Sequence, residues 1–313
     1  EIYQCDWSSD VCSSDLTAAV LPEDGAHGVD EVGVHGAYST RTSGPHRAQE
    51  ASVDEKKALT YGAYLKVPEL LDLNHPLTDE HDEVLFITIH QVYELWFFQM
   101  MHELREVQRR LEAGNGNGAL AVLKRVLTIL KLNVAQLDVL ETMSPMDFAS
   151  FRTRLESSSG FQSAQFRELE AMLGRRDRGA MSHHPKGPAR TRIEDAMARP
   201  DLYDSLCRYL ADRGAAVPAD LLTRDVTSER APDPRMQEAL LRAYREDAEA
   251  ASVCERFVDL DEGVQEWRYR HVKMVERTIG SKPGTGGSAG AEYLKETLFH
   301  AAFPDLWAIR ALL

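Results

Sequence analysis

The sequence predicts an all-α, bundle-like fold behind a disordered N-terminal leader. Three observations predict it. Apolar residues recur at intervals of three and four over long stretches, the spacing of one helix face. Gly, Pro, Ser and Asp stand at the ends of those stretches, where helices start and stop. No run alternates apolar and polar residues convincingly as a half-buried strand does, and no segment repeats.

Residues 6–16, DWSSDVCSSDL, resemble the conceptual translation of a sequencing-library adapter, and the first methionine is Met100. Residues 1–16 are therefore expected to be an assembly artefact and no part of the fold. Residues 17–57, rich in Gly, Ala, Ser and Thr without a steady period, read as a flexible leader. Residues 58–313 read as a single all-α domain, long enough for a sizeable core.

LTYGAYLKVPELLDL holds a short helix that Pro68 can start. LTDEHDE opens a long one, with Thr78 as expected N-cap and acids suited to the positive end of the helix dipole. That helix runs to about Leu111 and stops at AGNGNG. A second long helix follows, its core stripe formed by Leu123, Val126, Leu127, Leu130, Val134, Leu137 and Leu140. Ser144-Pro145 reads as a cap followed by proline in the first turn of a short helix carrying Phe148, Phe151 and Arg152. ESSSGFQSAQF breaks it and starts another, ending near Gly174. Residues 175–199 are basic and proline-containing and read as a loop, with His183 and His184 solvated. Helices are expected around 200–213 and 234–248, then a long one through CERFVDLDEGVQEWRYRHVKMVERTIG, then two short C-terminal ones.

Net charge is −14, which argues against a nucleic-acid or anionic-membrane surface. No apolar run approaches a membrane span, and no signal peptide is visible. Four cysteines, Cys5, Cys12, Cys207 and Cys254, show neither CxxC nor zinc spacing, which fits a reduced cytoplasm and excludes a CxxCH haem attachment.

Chemistry concentrates on two histidines. Phe86, His90, Tyr93 and Phe97 share one helix face, so His90 looks inward among rings, with Gln91, Glu94 and Gln99 elsewhere around the helix. Leu260, Val264, Trp267, His271, Met274 and Ile279 form a second approximate stripe, turning His271 inward too. Each alone reads as a core histidine with a satisfied hydrogen bond, or as part of a pocket for a flat apolar ligand. Two on two long helices suit a haem, which needs a ligand on one face and a pocket on the other. GTGGSAG, residues 284–290, lacks the Walker lysine. It reads as a connector, or as a lid whose glycines permit closure and whose Thr285 offers a hydroxyl. No Glu-x-x-His pair or HExxH occurs, so di-iron and zincin chemistries lack their residues.

LTYGAYL, FITIHQVYELWFFQ, SPMDFASFR, SSGFQSAQFR, WRYRHVKMVERTIGSKPGTGGSAG and FPDLWAIR together resemble the tryptophan 2,3-dioxygenase family, in its order, over roughly residues 58–313 and more weakly over 175–255. The resemblance implies a cytoplasmic homotetramer with one haem b per subunit. It implies insertion of O2 into the indole ring of L-tryptophan to give N-formylkynurenine, the first step of breakdown by the kynurenine route. His271 stands at the position of the axial iron ligand, and His90 at that of the distal histidine facing the indole N–H. Phe86 and Phe148 match pocket walls, Arg152 the partner of the substrate carboxylate, and Thr285 a threonine near the ammonium. Ser159 and Gly160 match a loop lining the haem, and Tyr61 and Tyr64 match tyrosines that complete a neighbouring subunit's pocket. Where the family usually has lysine after ELWF, this chain has Phe98. The rival readings are a haem sensor or carrier and a structural helical assembly. Arg152 and Thr285 argue against the first, since a pure haem binder needs no anchor for an amino acid; a protein that stays colourless after haem supplementation would favour the second.

Overall fold

The computed structural model describes residues 58–181, 184–285 and 290–313; the expected artefact and leader, and His183, lie outside the described residues. The elements are α1 (Tyr61–Leu65), α2 (Val67–Leu71), α3 (His81–Glu112), α4 (Gly116–Leu140), α5 (Pro145–Arg152), α6 (Ala164–Met172) and α7 (Arg178–Met181). They continue with α8 (Pro188–Met197), α9 (Leu202–Asp212), α10 (Ala219–Leu222), α11 (Pro234–Glu246), α12 (Ala248–Ile279), α13 (Ala291–Glu296) and α14 (Pro304–Ala308). No strand occurs among the described residues, so the all-α reading holds there.

The long helices α3, α4 and α12 form the frame, with α4 packed against both others. Leu104, Val107, Leu111, Leu123, Val126, Phe257 and Leu260 are sealed between them. Gly263 lets α12 close on α4: a Cβ there would lie 2.7 Å from Leu130 Cδ2. Asp261, buried on α12, accepts hydrogen bonds from the Phe303 backbone N–H and Trp307 Nε1, at 3.0 and 2.9 Å. The C-terminal helix α14 is thereby tied to the frame.

Two readings of local structure change. Thr78 does not cap α3, which starts at His81 after Glu80. Instead the buried Glu83 reaches back and accepts from the Leu77 N–H, the Thr78 N–H and the Thr78 hydroxyl, so the acid in the first turn holds the entering chain. The expected loop 175–199 contains α7 and α8. Pro188 stands in the first turn of α8, where a missing N–H costs nothing, and Ile193 buries the helix against α6. His184 is buried too, contrary to the solvated reading. Ser144 does cap α5, in a reciprocal capping box with Asp147.

Candidate active site

Side chains of α3, α5, α6 and α12 meet around a cavity of about 260 Å³. From α3 come Phe86, His90, Tyr93, Glu94 and Phe97; from α5, Phe148 and Arg152; from α12, Trp267, Arg268 and His271. Ser159, Gly160 and Thr285, on connecting segments, also line it. Eight of the residues singled out from sequence therefore share one cavity: Phe86, His90, Phe148, Arg152, Ser159, Gly160, His271 and Thr285.

The helix fixes the tautomer of His90. Its Nδ1 lies 2.7 Å from the Phe86 carbonyl, one turn earlier. A carbonyl only accepts, so Nδ1 carries the proton and Nε2 keeps a lone pair. Burial holds the imidazole below its ordinary pKa, and the Phe86 carbonyl and the Glu94 charge offset only part of that. His90 is thus a neutral acceptor at neutral pH.

Burial, with a smaller push from His90, takes His271 down to about 4. Its ring lies parallel to Trp267, four residues earlier, at 4° and 5.3 Å between centroids. Neither ring nitrogen has a hydrogen-bond partner among the described residues. A neutral imidazole with free nitrogens in a mostly apolar cavity is what a haem iron requires of an axial ligand, so the residues present fit that group.

Phe86 and Phe148 stand 5.7 Å apart at 32°, both packed on the buried Phe151. Arg152 follows Phe148 by one turn, so ring and guanidinium share a helix face. Its Nη2 donates to the Pro283 carbonyl at 2.6 Å, and the Thr285 hydroxyl donates to the Ser158 carbonyl. Residues 283–285 are thereby fastened to the segment that carries Arg152 and Ser159. Residues 286–289 of the glycine-rich loop lie outside the described residues.

Tyr61 and Tyr64 do not reach this cavity. They lie on α1, which buries nothing, and are 77% and 70% exposed. Phe98 is likewise exposed and off the cavity wall. Glu94 corrects the sequence reading: one turn after His90, it lines the cavity and accepts from Gln165 Nε2 at 2.8 Å. The interval of four that placed His90 with Phe86 also places Glu94 with His90, so the signal was present. Arg167, another cavity residue, was missed because its neighbours Glu168 and Glu170 make it look like a surface charge.

An all-α protein whose long helices bring two neutral imidazoles to one aromatic-walled cavity is built to hold flat, largely apolar groups. The chain belongs to the tryptophan 2,3-dioxygenase family, whose sequence pattern matches residues 46–199 and 228–313. Similar curated proteins are the tryptophan 2,3-dioxygenases of Anaeromyxobacter sp. (strain K), 63% identical over 82% of this chain and 97% of that one, and of Anaeromyxobacter dehalogenans (strain 2CP-C), 64% identical over the same shares. The tryptophan 2,3-dioxygenase of Herpetosiphon aurantiacus is 52% identical over 82% of this chain and 98% of its own. The unmatched residues 200–227 fall inside the stretch of weaker resemblance, where an ion cluster of Asp201 and Asp204 with Arg224 and Arg230 closes the fold locally.

Proposed function

We propose that the protein is a haem-dependent dioxygenase that converts L-tryptophan and O2 to N-formylkynurenine, the first step of tryptophan degradation by the kynurenine route. The observation that carries this reading is the locked His90 tautomer, which offers a lone pair to an indole N–H inside a cavity that His271 also lines. A haem b bound there supplies the oxygen chemistry.

The chain's own residues bind and orient. His271 would hold the iron of a haem bound there. His90 Nε2 accepts the indole N–H; an indole N–H is a poor acid, so the contact positions the ring rather than deprotonating it. Phe86 and Phe148 flank the indole. Arg152 exchanges the Pro283 carbonyl for the substrate carboxylate, which its planar fork matches better. Thr285 would stand near the ammonium, and Ser159 and Gly160 would line the haem.

Leu59, Tyr61, Tyr64, Leu71, Leu73 and Leu77 are all more than half exposed. So much unpartnered apolar surface over a short segment supports its burial against another copy, as in a homotetramer in which Tyr61 and Tyr64 complete a neighbour's pocket. No described helix is long and apolar enough to cross a membrane. Cys207 and Cys254 are both free and buried, which suits a reducing cytoplasm.

The test is direct. Protein supplied with haem should form N-formylkynurenine from L-tryptophan and O2. Protein that takes up haem but leaves tryptophan unchanged would favour a haem sensor or carrier. Protein that stays colourless would favour a structural assembly.

A further inference from the structure

Arg167 on α6 is 7% exposed and lines the cavity. Its guanidinium lies over the Phe161 ring, 4.8 Å from the centroid, with Phe166 on a second side. One nitrogen is used: Nη1 donates to Glu170 Oε2 at 2.6 Å. Nε is sealed from solvent and has no partner, and Nη2 donates to no described residue. The unused pair is the edge of the guanidinium whose two parallel N–H bonds match a carboxylate. A buried arginine rarely leaves that edge empty, because unpaired buried donors are costly.

The surrounding charge points the same way. Glu170 is shared: besides Arg167 it accepts from Arg268 Nη2 at 3.1 Å and lies 3.9 Å from Arg175. One carboxylate thus serves Arg167 and Arg268 together, and a buried positive excess remains at the cavity wall. Arg268 precedes His271 by one turn of α12, and Phe166 packs on Trp267 at 5.1 Å between centroids. Arg167 is therefore on the side of the cavity where His271 and Trp267 stack.

We propose that Arg167 binds a carboxylate of the cavity's ligand on its Nε–Nη2 edge. Position beside His271 favours a haem propionate over the substrate carboxylate, which has Arg152. The inference rests on the cavity being a haem site.

Haem-free protein is titrated with haem and with its dimethyl ester, whose propionates carry no charge, and loss of each to apomyoglobin is timed by visible absorbance. In the parent, the ester should leave about tenfold faster than haem. Arg167→Met should release haem about tenfold faster than the parent and hold the ester as the parent does, and Arg167→Lys should recover only part. The parent comparison needs no variant, so it stands even if Arg167→Met folds poorly. Tryptophan and tryptamine binding form a second arm. If Arg167→Met weakens tryptophan but not tryptamine and leaves haem release unchanged, the carboxylate is the substrate's and the site stands. Equal retention of haem and ester by the parent, with unchanged haem and tryptophan binding in Arg167→Met, overturns the inference alone. A parent that takes up neither haem nor ester overturns the haem reading and this inference with it.

Discussion

The Nδ1–H of His90 donates to the carbonyl oxygen of Phe86, 2.7 Å away and one helical turn earlier. Two residues that also wall the cavity thus decide between them which imidazole nitrogen faces a ligand. Binding should therefore depend on His90 staying neutral. Because burial holds its pKa below the ordinary 6.5, tryptophan affinity should be flat down through pH 6.5 and fall only in more acid solution. The same shift has a sign for stability. As pH falls through 6.5 the unfolded chain takes up the proton first, so stability drops until the lower folded value is passed. His90→Phe should show a shallower drop over that window in denaturant unfolding of haem-free protein. An identical pH profile for parent and variant would show that His90 titrates as if solvated.

His271→Ala should abolish stable haem binding, because the proposed iron ligand is removed while the cavity around it remains. The visible spectrum after haem addition reads this. A variant with parent-like haem content and ferrous spectrum would place the iron ligand elsewhere.

Arg152→Ala should keep haem and assembly but lose roughly 30-fold or more in kcat/KM for tryptophan, since removing the partner of a partly dry carboxylate costs about 2–5 kcal/mol. Arg152→Lys should rescue only partly, because lysine lacks the fork. Tryptamine, without a carboxylate, should be a poor substrate of the parent and lose little more in the variant. Equal damage to both substrates would mean that Arg152 acts through its bond to Pro283, holding the loop rather than the substrate.

Asp261→Ala should destabilise the fold by about 2–4 kcal/mol, because the buried Phe303 N–H and the part-buried Trp307 Nε1 lose a charged acceptor. Denaturant unfolding checks the magnitude. Limited proteolysis should show earlier cutting after residue 300 than in the parent.

Much of this protein was legible in its sequence. Helical spacing alone identified α3, α4 and α12 and turned both His90 and His271 inward, because a long helix with one apolar stripe has only one way to face a core. Ser144-Pro145 marked the start of α5 because capping is a local interaction between neighbours in the chain. The motifs that carry the family resemblance named Arg152 and Thr285, which spacing could not have paired. Local signals failed where a distant partner decided the outcome. Residues 188–197 looked like loop, yet they form a helix because Ile193 has α6 to bury against. Thr78 looked like a cap, yet the buried Glu83 claims it.

The sequence by itself determined that the chain is helical, which faces of its long helices are apolar and where α5 begins. Those properties follow from residues within a few turns of one another. Only the tertiary structure decided that helices 86–97, 148–152 and 267–271 enclose a common cavity, that residues 283–285 are fastened across to Arg152 and Ser158, and that Arg167 is a buried cation with an unused edge. Those facts rest on contacts between side chains more than a hundred residues apart in places, and no local periodicity encodes them.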